Sequence, residues 1–372
     1  MVQQITDPEY LPAFSLSAEG NDITDVLRQN LAELTLTDHG GATGKSDELR
    51  ITLISETLTL PAQGVRLRLG LGFNNNLTDK GWFVVCSASS SGPPRLVQIY
   101  ATAAPMNARK QAGNVLSQKT RSWDNITLGD LVKTVAADNG LIPRVADSLA
   151  AIQIEHIDQT GESDANLLTR LARLYNAVSK PAGGYWLFLE QGAAQTVSGK
   201  PLAEITITPA DVSSWTYSEG TRGSASGGSA ATNGGESVAV RYFDESDGRT
   251  KTAETKHDGP AMVAPYTLSD KKQAVSQAQA KKTQTTRAQR KMTVSGACRP
   301  KMIGLTAEAP VITAGFGERE DGRWLAESLV FSLTSAGLSY SYSLVNDTRS
   351  ATSKSKKTDS ETNSGPVYFG TP

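Results

Sequence analysis

Between residues 155 and 164 the chain gathers Glu155, His156, Asp158, Glu162, Ser163 and Asp164. These types could do chemistry. Two carboxylates flanking a sugar bond can serve as acid and base in glycoside hydrolysis, provided their separation in space is right. A serine near a histidine invites comparison with nucleophilic catalysis. Spacing along the sequence establishes neither arrangement. The same residues have structural uses: Ser163 is a candidate helix N-cap, Asp164 suits the first turn, and Glu162 can bond the free N–H groups there. Asp158 and Gln159 can do likewise in a preceding turn. The structural reading is favoured, and no catalytic residue is assigned.

Other motifs are weaker. Gly40, Gly44, Lys45 and Ser46 resemble part of a phosphate-binding loop, but His39 stands where the first glycine belongs, and the stretch lies between two expected strands. His39, His156 and His257 are far apart, with no metal-ligating spacing. Cys86 and Cys298 are isolated, which argues against a zinc site or a disulfide framework. No cofactor is expected. A basic run (Lys271, Lys272, Lys281, Lys282, Arg287, Arg290, Lys291, Arg299, Lys301) lacks interleaved aromatics, so it reads first as a solvated helix face, with an interface to an acidic partner or a nucleic-acid contact as the alternatives.

The elements that must position these residues follow from periodicity. The 372 residues exceed one compact core and suggest about two to four domains. A net charge of −1 excludes a globally basic nucleic-acid binder. The N-terminus carries no secretory pattern, and apolar runs fall short of the ~20 residues of a spanning helix, so no stable membrane insertion is expected. Residues 11–103 alternate apolar and polar with period two, as at Val65, Leu67, Leu69 and Leu71, which predicts antiparallel strands. Leu128, Leu131, Val132, Val135 and Ala136 define a helical face ended by Gly140 and Pro143. Leu167, Leu168, Leu171, Leu174 and Tyr175 define a second, starting near Ser163, with Arg170 and Arg173 facing out. Residues 185–189, 200–217 and 237–243 read as strands, 218–236 as a Gly/Ser loop, 269–290 as a helix, and 292–345 as strands again.

Blocks at 117–123 (including Lys119, Arg121 and Trp123), 127–130 (including Leu128 and Gly129), 140–141, Asp158 with Gln159, Glu162 to Asp164, and 168–172 (including Arg170 and Leu171) occur in an order that closely resembles the late control D family. These are baseplate hub proteins of contractile-tail phages and R-type particles. Residues 34–38 and 46–49 resemble the family's early strand, turn and strand. Trp324 with Gly337 resembles its last hairpin, with Phe331 standing where the family has a histidine.

The resemblance implies a mainly β protomer with an α+β insertion and two tube-like β-barrel domains, three protomers giving a pseudo-sixfold ring. The boundaries expected are a first barrel at 1–105, an α+β domain at 106–192, a second barrel at 193–345, and an extended tail at 346–372. The implied role is a non-enzymatic adaptor joining the tail tube to a trimeric spike in the virion baseplate, assembled in the host cytoplasm. Its partners would be its own copies, the spike, the tube, other baseplate proteins, the tape-measure protein and DNA passing through the lumen. The alternative is a tail-tip cell-wall hydrolase using carboxylates near 155–164.

Overall fold

The computed structural model describes residues 10–41, 45–104, 115–195, 200–220, 237–257 and 261–348. Residues 42–44 of the glycine-rich stretch at 40–46, most of the Gly/Ser loop at 218–236 and nearly all of the tail at 346–372 lie outside the described residues.

The first stretch forms β1 (Pro12–Ala18), β2 (Asn21–Asp22), α1 (Thr24–Arg28), β3 (Leu31–His39), β4 (Glu48–Ile54), β5 (Arg66–Phe73), β6 (Asn76–Ser91) and β7 (Leu96–Thr102). Next come β8 (Gln118–Thr127), α2 (Leu128–Asp138), β9 (Ile142–Val145), α3 (Asp147–Ala150), β10 (Gln153–Ser163), α4 (Asp164–Leu174), β11 (Ala177–Ala182) and β12 (Tyr185–Glu190). The last stretch gives β13 (Ile205–Ile207), β14 (Ser214–Glu219), β15 (Ser237–Asp244), β16 (Arg249–Lys256), β17 (Met262–Leu268) and α5 (Lys271–Ala288). It closes with β18 (Arg290–Ala297), α6 (Pro300–Ile303), β19 (Pro310–Thr313), β20 (Gly322–Thr334) and β21 (Gly337–Asn346).

The expected β character holds, and no closed barrel is traced among the described residues. Strands of the two β stretches form one sheet in the order β14-β18-β21-β20-β3-β4-β7-β6-β5-β1-β2, with β19 and β13 branching from β20. This path has two ends and does not close on itself among the described residues. Its seam is the antiparallel pairing of β3 with β20, which sets Leu34 opposite Leu333 and Leu36 opposite Phe331. Because side chains alternate with period two, this register turns the apolar sets of both strands to the same face. A single core results, shared by residues 14–103 and 207–344. Phe331 and Tyr342 meet edge to face within it at 6.1 Å.

The α+β unit has its own core, running from Ala104 to Phe188 and including the expected faces of α2 and α4. Thr127 and Ser163 cap these helices, their hydroxyls accepting from the backbone N–H of Asp130 and Asn166. Gly129 permits the close approach of α2 to α3: a Cβ there would fall 2.9 Å from the Ala150 Cβ. The third core is a feature that periodicity did not separate from the second β stretch. Helix α5 packs its alanines, Ala274 and Ala278, on a three-stranded sheet of order β16-β15-β17, inserted between β14 and β18.

Leu171 is 1% exposed in the α4 stripe. Leu171→Ala should therefore cost about 2–5 kcal/mol as a core cavity. Chemical denaturation measures this; an unchanged midpoint would refute the buried-stripe assignment.

Candidate functional site

The polar residues of 156–163 lie on strand β10, not in a turn, Asp164 opens α4, and β10 pairs with β8. The pairing carries Arg121 opposite Gln159 and Lys119 opposite Glu162, and a bulge between Gln159 and Glu162 directs the strand into α4. Asp164 thereby enters the interior with its side chain 0% exposed. Around it stand Lys119 Nζ at 2.5 Å and Arg121 Nη2 at 2.8 Å. The amides of Asn139 and Gln159 donate to its oxygens at 2.7 and 2.9 Å. Burial would push the Asp164 carboxyl up, but the bonds from Lys119, Gln159 and Asn139 outweigh it and hold the group below the ordinary carboxylate range.

Gln159, also buried, completes the network. Its Oε1 accepts from Arg121 Nε at 2.8 Å and its Nε2 donates to the Glu162 carbonyl at 2.9 Å. Arg121 further pairs with Asp138 at 2.7 Å and lies 4.5 Å over the Trp123 ring. Glu162 does not bond helix N–H groups as expected; it pairs with Arg170 at 2.7 Å, and Arg170 also donates to the Asp158 carbonyl. Asp158 accepts from Ser122 Oγ at 2.6 Å and faces His156 Nε2 at 3.3 Å. His156 lies between Asp158 and Asp124, whose hydrogen bonds raise its imidazole above the usual range. The candidate serine, Ser163, is a buried helix cap. The Asp158, Glu162 and Asp164 carboxylates are all engaged in local structure, so the cluster does not present a carboxylate pair to a cleft. Among the described residues no His, Cys, Asp and Glu group could hold a metal ion.

Sequence reasoning assigned Asp164 to the helix dipole and gave no role to Lys119, Arg121 or Asn139. The first two lie within the matched block at 117–123, a signal that was present. Trp324 is remote from this cluster. It is buried in the large core, donates to Thr313 Oγ1 at 2.7 Å and is covered by the Arg290 guanidinium at 4.9 Å. Arg287 is likewise no solvated lysine-type surface charge: it is buried and donates to Asn176 and the Gln191 carbonyl.

A second polar cluster, which the sequence did not predict, joins the α+β unit to the sheet. Lys180 of β11 reaches Asp38 at 2.6 Å, Asp47 at 2.9 Å and the His39 carbonyl at 2.6 Å. Burial opposes the Lys180 charge, yet the two carboxylates raise its pKa; burial pushes the Asp47 carboxyl up to about 7. Nearby, Glu308 accepts from the backbone of Gly41 at 2.7 Å and of Gly192 at 2.9 Å, tying both units to the loop before β19. A cavity of about 320 Å3 adjoins this junction, lined by Lys80, Lys180, Leu187, Leu189 and Phe331. Phe331 lies in the core with the Lys80 ammonium 4.8 Å from its ring centre.

A mainly β chain with this arrangement falls among phage tail proteins. The 43 kDa tail protein of prophage MuSo2 from Shewanella oneidensis superposes with a TM-score of 0.65 at 13% identity, over 90% of this chain and 98% of that one. A type VI secretion component of E. coli gives 0.53 at 9% identity, over 89% and 76%. The chain belongs to the phage tail baseplate hub (GPD) family, whose sequence profile matches residues 114–337. It is 38% identical over 201 residues to the probable baseplate hub protein of Escherichia phage 186, covering 54% of this chain and 50% of that relative. The chain thus spans about half the length of the curated relatives it matches.

Two outcomes follow from the geometry. Asp164→Asn should cost about 3 kcal/mol, because it leaves Lys119 and Arg121 without their carboxylate. The lowered Asp164 pKa gives stability that is full above the unfolded value and is lost as pH falls through the lower folded value, so wild type weakens below about pH 4. A denaturant series at falling pH should find a shallower acid loss in the variant; parallel curves would count against the assignment. Lys180→Met should cost about 3–5 kcal/mol at pH 8 by stranding Asp38 and Asp47. Its deficit should shrink at pH 5 as a stranded carboxyl takes up a proton, and hydrogen exchange in β11 should rise. A deficit independent of pH would contradict this.

Proposed function

We propose that the chain is a structural hub that forms a homotrimeric ring at the tip of a phage tail or tail-like particle. Each protomer supplies two β units, so three protomers present six around the axis. Such a ring can meet a hexameric tube on one side and a trimeric spike on the other. The observation that carries this reading is the β3–β20 seam, which holds both β units side by side in one sheet. Membership of the hub family and the likeness to a protein described as a type VI component similar to T4 tail proteins support it.

The expected place of action is the virion baseplate after assembly in the host cytoplasm. The partners are the spike, the tube, other baseplate proteins, the tape-measure protein and passing DNA. The α+β unit buttresses the sheet through Lys180, Glu308 and Arg287. No observation favours the hydrolase alternative, since Asp164 is interior and ion-paired and Glu162 is held by Arg170.

Native mass measurement of the full chain, alone and with tail components, should find a trimer. A monomer at every concentration tested would sink the ring. A peptidoglycan-release assay should be blank; activity that Glu162→Gln abolishes would put a hydrolase in the hub's place.

A further inference from the structure

The cavity between the α+β unit and the large sheet has walls of two origins. On the sheet side Leu36, Phe83 and Phe331 line it, all buried members of the large core. The α+β unit contributes Leu187 and Leu189 of β12. This strand alternates: Trp186 and Phe188 fill the core of the unit, and Leu187 and Leu189 turn the other way. The two leucines are half-buried and belong to neither core. The two units are fastened beside this space, Lys180 to Asp38 and Asp47, and Glu308 to the backbone of Gly41 and Gly192. These bonds fix the separation of the walls and keep the leucines from collapsing onto the sheet. About 320 Å3 remains, mainly apolar in lining. Small-molecule sites begin at roughly 300 Å3 and combine apolar walls with a few placed polar groups.

One polar group in the lining is incompletely satisfied. An ammonium has three N–H donors. Those of Lys180 meet Asp38, Asp47 and the His39 carbonyl. Lys80 donates to the Ile303 carbonyl and lies 4.8 Å from the centre of the Phe331 ring; among the described residues it forms no ion pair. The carboxylates lining the cavity are engaged elsewhere: Asp79 by Arg68, Asp38 and Asp47 by Lys180, Glu190 by Ser148, and Glu308 by its two backbone N–H groups. Burial pushes the Cys298 thiol up to about 12, so it stays uncharged and is no counter-ion for Lys80. Burial also holds the Lys80 ammonium below the ordinary lysine range. A buried cation without a counter-ion is costly, and an anion placed beside it offsets that cost.

We propose that this cavity is a binding site for a medium-chain monocarboxylate, with the carboxylate on Lys80 Nζ and the chain along Leu187 and Leu189. One cation suits one carboxylate head, joined to it by a charge-assisted hydrogen bond. The apolar walls suit an unbranched chain. The site lies within a single protomer, so it goes beyond the hub reading and does not depend on ring formation.

Calorimetric titration of the full-length chain with octanoate, octanol and octylammonium tests the site. Octanoate should saturate at one per chain and bind at least about tenfold more tightly than octanol, the factor expected of a hydrogen bond to a charged group. Octylammonium should not bind. Lys80→Met keeps the stem and removes the charge; octanoate should fall to the level of octanol, whose own binding stays unchanged. Leu187→Trp fills the space and should weaken octanoate and octanol together. Absence of saturable octanoate binding, equal binding of octanoate and octanol by the wild type, or unchanged octanoate binding by Lys80→Met would overturn the proposal. Should Lys80→Met fail to fold, Leu187→Trp decides: octanoate binding that survives it is not in this cavity. Native mass of the same samples keeps the two readings apart. A trimer that ignores octanoate removes the site and leaves the hub, and a monomer that binds it does the reverse.

Discussion

The antiparallel pairing of β3 with β20 is the contact on which the rest of the molecule depends. It joins segments from opposite ends of the chain, with Glu33 and Ser332 meeting across 299 residues. Closing so long a loop costs conformational entropy, and the burial of Leu34, Leu36, Phe331 and Leu333 on one face offsets it. Once the seam is made, the two β stretches share one core. The same register also decides what the opposite face presents, because shifting it by one residue would exchange core leucines for the serines and threonines on the other side.

The α+β unit is attached to this sheet by buried charge as well as by packing. Lys180 is a cation held between two carboxylates of the sheet, and Glu308 accepts backbone N–H groups from both units. Buried ion pairs contribute little net stability compared with apolar packing of equal volume, but they are costly to break from one side. They therefore specify position: the unit docks where Lys180 meets Asp38 and Asp47, and a displaced arrangement leaves these groups unpaired. Inside the unit, Asp164 plays the corresponding part, fixing β8, α2 and α4 to one another through Lys119, Arg121 and Asn139. What a first inspection takes for catalytic carboxylates is an electrostatic fastening within the α+β unit.

Such a design suits the hub role proposed above, in which subunits would have to hold their shape. The chain belongs to the phage tail baseplate hub family.

The sequence by itself determined the local elements and the family. Period-two alternation marked β3 to β7 and β20 to β21, the stripes of α2 and α4 were legible as helical faces, and Thr127 and Ser163 cap as their positions suggest. These features depend on neighbours within a few residues, so one chain suffices to read them. Only the tertiary structure decided that β3 lies against β20, that α5 belongs to a separate small unit, that Asp164 meets Lys119 and Arg121, and that Lys180 finds Asp38 and Asp47. Each of these is a pairing between segments far apart in sequence, where many partners satisfy the same apolar or charged pattern. Register and the burial of charge select among them, and both are settled only when the whole core closes.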